Sequence, residues 1–296
     1  MANQAFASTN NGQIPTSLTS PGAARFWLSV CLIGATTGLA AAALARLLEV
    51  IQRAAWHGSG MNKLESARQA SALRHVAVLL AAGILAGVGQ VLLKQLSSGN
   101  GIETTEAIWF HAGRLPALRT LGSALLSIFA VGMGASVGRE GAPKQAGAVF
   151  ANFFADAETL SDEQRRLLVA CGAGAGMAAA YGVPLGGALF ALEVMRGKLA
   201  LRFVLPALFT SLIATGVSWV ALPDAPTYNI PSFPLSVSVV LWVIVCSPIF
   251  TFGAILYVRL VRWADRNKPR GLQRFIAPAI ALGLVGVVSA WFPDIL

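Results

Sequence analysis

The chain has 296 residues, 55% of them hydrophobic and 12% charged, with a mean hydropathy of +0.66. Soluble domains carry about a quarter charged residues, so this polar surface is too small to cover a globule, and an ordinary soluble enzyme is excluded. The formal net charge of +9 does not call for a nucleic-acid partner, because the basic residues gather between uncharged runs, where charge reports membrane topology.

Residues 1–24 hold no charged side chain and are rich in Asn, Ser, Thr, Gly and Pro; they read as a disordered cytoplasmic tail. Seven runs then lack Asp, Glu, Lys and Arg: Phe26–Ala45, Val76–Leu93, Thr120–Gly138, Leu167–Leu192, Phe203–Pro223, Val237–Val258 and Phe275–Pro293. A helix crosses the hydrocarbon core with about 20 apolar residues. Only helices and closed barrels can pair every backbone group there. The runs are rich in Ala, Leu and Gly and do not alternate, which predicts an all-α polytopic membrane protein.

In the connection 52–75, Arg53, Lys63, Arg68 and Arg74 oppose Glu65, and charge alone leaves the first span's orientation ambiguous. The stretch "LSSGNGIETTEAIWFHAG", 96–113, is too short and polar to span, and 140–155 is amphipathic and about one leaflet long. Short helices that start and stop within the membrane are typical of transporters, where they line an ion site. Their N-termini offer free N–H groups and a partial positive charge to an anion, and glycines ahead of them let the backbone come close. "SSGNGI", 97–102, and "GASVGREGAP", 134–143, are both Gly-rich turns leading into such helices.

The second turn sets Arg139 beside Glu140. A carboxylate there competes with an anion for the same N–H groups, which makes Glu140 a candidate gate. Its alternatives are a structural salt bridge with Arg139 and a charge at headgroup level. Arg139 keeps its proton and reads as a brace or a source of positive potential. Lys144, one turn on, either draws anions to the pore mouth or snorkels to the headgroups.

Pro184 falls inside the fourth run and predicts a break near Tyr181–Gly182–Val183, with a new helix starting at the proline. Gly172, Gly176 and Ala180 predict close helix packing and not a nucleotide loop, which needs a preceding strand. Arg196, Lys198 and Arg202 form one basic cluster; Arg259, Arg262, Arg266, Lys268, Arg270 and Arg274 form another. The connection between them, 224–236, carries only Asp224. By the positive-inside rule both basic loops face the cytoplasm, as in a multi-pass protein of the cell membrane. Cys31, Cys171 and Cys246 and His57, His75 and His111 show no disulfide or metal spacing, and no nucleophile–base set is present. No cofactor, metal or enzymatic activity is expected.

Three motifs, in this order, resemble the CLC family of chloride channels and chloride/proton antiporters: "GNGIE" (99–103), "GREGAP" (138–143) and "YGVPLGGALFALEVM" (181–195). The resemblance implies an inverted-repeat helical bundle with short broken helices and a homodimer packed through 184–192 and 203–217. It implies a chloride-like anion as substrate in a lipid setting. Glu140 matches the gating glutamate, with Gly138, Arg139 and Gly141 in the same turn. Gly99, Asn100, Gly101 and Ile102 match the loop that cradles the central anion. Glu193 matches a carboxylate at the end of the motif helix, either a substitute proton relay or a structural group.

The departures are specific. Asn100 replaces the family's serine; its amide still donates, and substitutions here also occur in the fluoride-exporting branch. Glu103 replaces a proline, and Ala142 intervenes before Pro143. Val194 stands where antiporters commonly carry a relay glutamate, and valine carries no proton. The second half's GxFxP loop and late tyrosine have no counterpart. Residues 25–222 read as the first membrane repeat and 223–296 as the start of a second, truncated one. The expected function is anion transport through a glutamate-gated pore within the subunit, channel-like. Its alternatives are a proton-coupled chloride or fluoride antiporter and an inactive truncated fragment.

Overall fold

A computed structural model describes residues 23–56, 63–97, 102–158, 160–197, 201–224, 234, 236–269, 271 and 273–296. The regular structure among them is helical: α1 (Ala23–Trp56), α2 (Lys63–Arg68), α3 (Ala72–Leu96), α4 (Thr104–Phe110), α5 (Ala117–Gly132), α6 (Gly141–Ala157), α7 (Asp162–Tyr181), α8 (Pro184–Phe190), α9 (Leu201–Ser218), α10 (Val237–Arg266) and α11 (Gln273–Ser289). A π-helical turn, Ala191–Arg196, extends α8, and a 3-10 turn, Pro293–Ile295, follows α11.

The seven uncharged runs divide into two kinds of element. Among the described residues, α1, α3 and α10 are long and apolar enough to cross a membrane. Other apolar helices are shorter: 117–132, 184–195, 202–218 and 273–289. The fourth run breaks where Pro184 predicts. α7 stops at Tyr181, Gly182 caps it with φ +69°, and Pro184 takes the first position of α8, where its missing N–H costs nothing. The third run ends earlier than its apolar residues extend, at Gly132, because the chain turns at Gly134 with φ +101°, a region that L side chains rarely enter.

α7 is the hub, packed against α6, α8, α9 and α1. Its start is well specified: Ser161 and Gln164 form a capping box, and Asp162 and Glu163 complement the helix dipole in the first turn. Arg165, almost buried, pairs with Asp156 and ties α7's first turn to the last turn of α6. Further along, every residue from Leu167 to Gly176 is buried. A Cβ on Gly172 would run into the Gly147 carbonyl on α6, and one on Gly176 would run into that of Pro143. The small residues thus let backbones touch, which is how helices associate where lipid removes the hydrophobic driving force. Ile33, Ile108, Leu168, Leu192 and Met195 fill the surrounding core. α3 and α11 form a second close pair, with the Phe275 and Pro278 carbonyls against Gly87 and Gly83.

Candidate functional site

The candidate gate lies in the turn that joins α5 to α6. After Gly134, the amide of Ala135 donates to the Ala130 carbonyl at 2.9 Å and that of Val137 to Ala135 at 2.8 Å, closing the end of α5. Gly138 then leaves room beside it: a Cβ there would collide with the Glu140 carboxylate, which folds back over the glycine. Gly141, by contrast, has open space around its Cβ position.

Glu140 is the N-cap residue of α6, and its carbonyl accepts the Lys144 amide at 3.2 Å. Its carboxylate does not bond to the first N–H groups of α6. Instead, Oε2 accepts the Tyr181 hydroxyl at 3.0 Å. Tyr181 is the last residue of α7, fixed at the break before Pro184. The Arg139 guanidinium sits 5.7 Å from the centre of the same ring, within cation–π range. Arg139 and Glu140 therefore share Tyr181, and among the described residues no ion pair joins them. Arg139 also lines a cavity of about 270 Å³ with Leu44, Leu48, Pro143 and Tyr181, room enough for several waters or a hydrated ion.

A second carboxylate approaches the same helix. Glu103 N-caps α4: its Oε2 accepts the amides of Thr105 at 2.8 Å and Glu106 at 3.3 Å. Its Oε1 lies 3.5 Å from Nζ of Lys144. Lys144 thus has a protein partner, which neither sequence reading of it included. Beside Glu103, Ile102 packs on the main core cluster. The other expected members of the anion loop, Gly99, Asn100 and Gly101, lie outside the described residues.

The site residues read from sequence fall into two groups. Gly138, Arg139 and Glu140 come together with Tyr181, and Ile102 and Glu103 approach through Lys144. Glu193 does not join them. It is exposed on the π-helical turn, beside the exposed Val194. The sequence reading missed Tyr181 as the partner of Glu140 and Glu103 as that of Lys144. Tyr181 had a signal, since it is the hydroxyl-bearing residue at the helix break. The Glu103–Lys144 contact had none, because its partners are 41 positions apart.

The chain matches the family model described as "Voltage gated chloride channel" over residues 84–296. A "Putative chloride channel protein ClcB-like" of Ralstonia nicotianae is 32% identical over 209 residues, covering 68% of this chain and 48% of that relative. A "Voltage-gated ClC-type chloride channel ClcB" of Yersinia pestis is 40% identical over 109 residues, covering 37% of this chain and 26% of the relative. Among solved structures, a slow cyanobacterial Cl−/H+ antiporter aligns with a TM-score of 0.71 at 21% identity, over 90% of this chain and 64% of that one; this likeness concerns the fold. The chain thus spans about half the length of the Ralstonia relative.

Proposed function

The chain belongs to the voltage-gated chloride channel family, and from that premise we propose that it carries chloride-like anions across the membrane through a pathway in its own helical bundle, with Glu140 as the gate. The observation that carries this reading is the Tyr181–Glu140 hydrogen bond of 3.0 Å, with no bond from the same carboxylate to the first N–H groups of α6. Those groups suit an anion. A carboxylate one residue ahead of them has two stations, one on Tyr181 and one on the N–H groups themselves. On Tyr181 it leaves the N–H groups to the anion; on the N–H groups it takes the anion's place.

Gly138 allows the first station, since any side chain there would block the folded-back carboxylate. Arg139 holds the Tyr181 ring and keeps a positive charge beside the cavity. Gly141 completes the turn. Gly99, Asn100, Gly101 and Ile102 cradle the anion at the pathway's centre. The protein works as a multi-pass homodimer of the cell membrane, packed through 184–192 and 203–217, with its first repeat over 25–222 and a second beginning at 223.

Movement through this path is passive in our reading, because Val194 carries no proton. A second reading, proton-coupled exchange of chloride or fluoride, is favoured by Glu193, an exposed carboxylate next to Val194, and by Asn100 in the anion loop. The test is efflux from chloride-loaded liposomes holding the purified chain, followed with chloride and pH electrodes together. Chloride efflux without proton movement supports passive transport. Efflux with opposed proton flux overturns the passive reading in favour of exchange, and no efflux from folded protein overturns both.

A further inference from the structure

Position 103 is where this chain parts from the proline of the family motif it resembles, and the structure gives the change a consequence. Proline offers neither charge nor side-chain acceptor. The glutamate uses both carboxylate oxygens, one on the Thr105 and Glu106 amides at 2.8 and 3.3 Å and the other on the Lys144 ammonium at 3.5 Å. Both ends of this link are anchored. On one side Ile102 packs on the core, and the Thr105 hydroxyl lies 3.7 Å from the sulfur of buried Met195. On the other, the backbone of Pro143 and Lys144 presses on Gly176 of α7.

Lys144 is one helical turn from the gate carboxylate, and its amide is bonded to the Glu140 carbonyl. Its side chain is 22% exposed against 56% for Glu103, so the cation is the more enclosed partner. A cation beside an anion path raises the local anion concentration, and a carboxylate of the protein already bound to it competes with the arriving ion. We infer that Glu103 is a positioning residue for the transported anion: it holds the Lys144 ammonium to itself, withholds that charge from the path, and so weakens the apparent affinity for chloride.

This inference rests on the transport reading above, and the experiment separates the two. Chloride efflux from liposomes is measured over a range of chloride concentrations for the wild-type chain, Glu103→Gln, Lys144→Gln and the double variant. Glutamine keeps an oxygen for the Thr105 and Glu106 amides, so the start of α4 is preserved. Glu103→Gln is expected to lower the half-saturating chloride concentration about two- to five-fold, the range of a partly exposed ion pair, with little change in maximal rate. Lys144→Gln is expected to raise it, and in that background the Glu103 substitution has a smaller effect.

A fall in maximal rate with unchanged half-saturation would mean that the pair only braces α4 to α6, and would overturn the inference. Equal shifts in both backgrounds would overturn it too. If Glu103→Gln is poorly folded, Lys144→Gln measured on the same axis decides, with unchanged half-saturation as the contrary result. Wild-type efflux with no shift in any variant removes this inference alone, whereas no wild-type efflux removes it together with the transport reading.

Discussion

α7 and α10 are both apolar through their middles and polar at one end, yet they sit in opposite surroundings. α7 runs "LLVACGAGAGMAAAY" from Leu167, and its residues are buried without interruption from Leu167 to Gly176. α10 runs "VSVVLWVIVCSPIFTFGAILYV" from Val237, has the bulkier side chains, and buries none of its residues. Ranking by hydropathy would put α10 inside and α7 outside. In a bilayer hydropathy does not set that ranking, because lipid tails are as apolar as the bulky side chains, and close packing goes to helices small enough for their backbones to meet. The Tyr181–Glu140 contact follows from the same rule: Tyr181 reaches Glu140 because Gly172 and Gly176 let α7 lie directly against α6.

Substitutions that add the same bulk to the two helices separate them most strongly. Gly172→Leu pushes a side chain into the Gly147 carbonyl, while Gly253 of α10 has open space around its Cβ position. Overpacking against backbone should cost Gly172→Leu about 3 kcal/mol or more, and Gly253→Leu should stay within about 0.5 kcal/mol. Thermal unfolding in detergent, followed by tryptophan fluorescence, checks both. Equal losses would break the comparison.

Removing bulk is the converse test and should give a smaller effect. Leu168 of α7 is fully buried, whereas Leu241 of α10 is 57% exposed. Leu168→Ala is expected to cost about 2–4 kcal/mol by leaving a cavity, and Leu241→Ala well under about 1 kcal/mol. The helix starts offer a finer contrast. Ser161 caps α7 within a reciprocal capping box, while Ser236 caps α10 through a single bond to the Val239 amide at 3.3 Å. Ser161→Ala should lower stability by about 1 kcal/mol and Ser236→Ala by less, read from the same melts.

Much of this was legible in the sequence, and the failures have a physical pattern. The helix break at Pro184, the short helix after Glu140 and the close packing at Gly172 and Gly176 each follow from local chemistry: a missing N–H, a Gly-rich turn, a small-residue spacing. The uncharged run 120–138 continues past the turn that Gly134 makes with φ +101°, a turn legible from the Gly-rich stretch 134–143 and not from the run itself. Uncharged character marks membrane depth and does not distinguish helix from turn. Glu140 was legible as a gate candidate that competes for N–H groups, with a salt bridge to its sequence neighbour Arg139 as an alternative, and neither reading named Tyr181. Adjacent side chains at a helix start diverge, and the bond goes to Tyr181, brought in by tertiary packing. The pairing of Glu103 with Lys144 is likewise a product of the fold.

The proposed gate gives the smallest structural change and the most direct test. Tyr181→Phe removes the hydroxyl that Glu140 accepts from, and in the proposed gate the carboxylate is then expected to fall back onto the N–H groups of α6. The loss of one hydrogen bond, about 1 kcal/mol, should slow chloride efflux about five-fold. Glu140→Gln removes the competing charge, and in that background the Tyr181 substitution should change little. The decisive measurement is therefore the efflux rate of all four proteins, wild type, Tyr181→Phe, Glu140→Gln and the double variant, in matched liposomes. The expected result is slower efflux for Tyr181→Phe, faster efflux for Glu140→Gln, and a double variant that behaves like Glu140→Gln. Efflux indifferent to Glu140, or a Tyr181→Phe effect of equal size in both backgrounds, would contradict Glu140 as the gate.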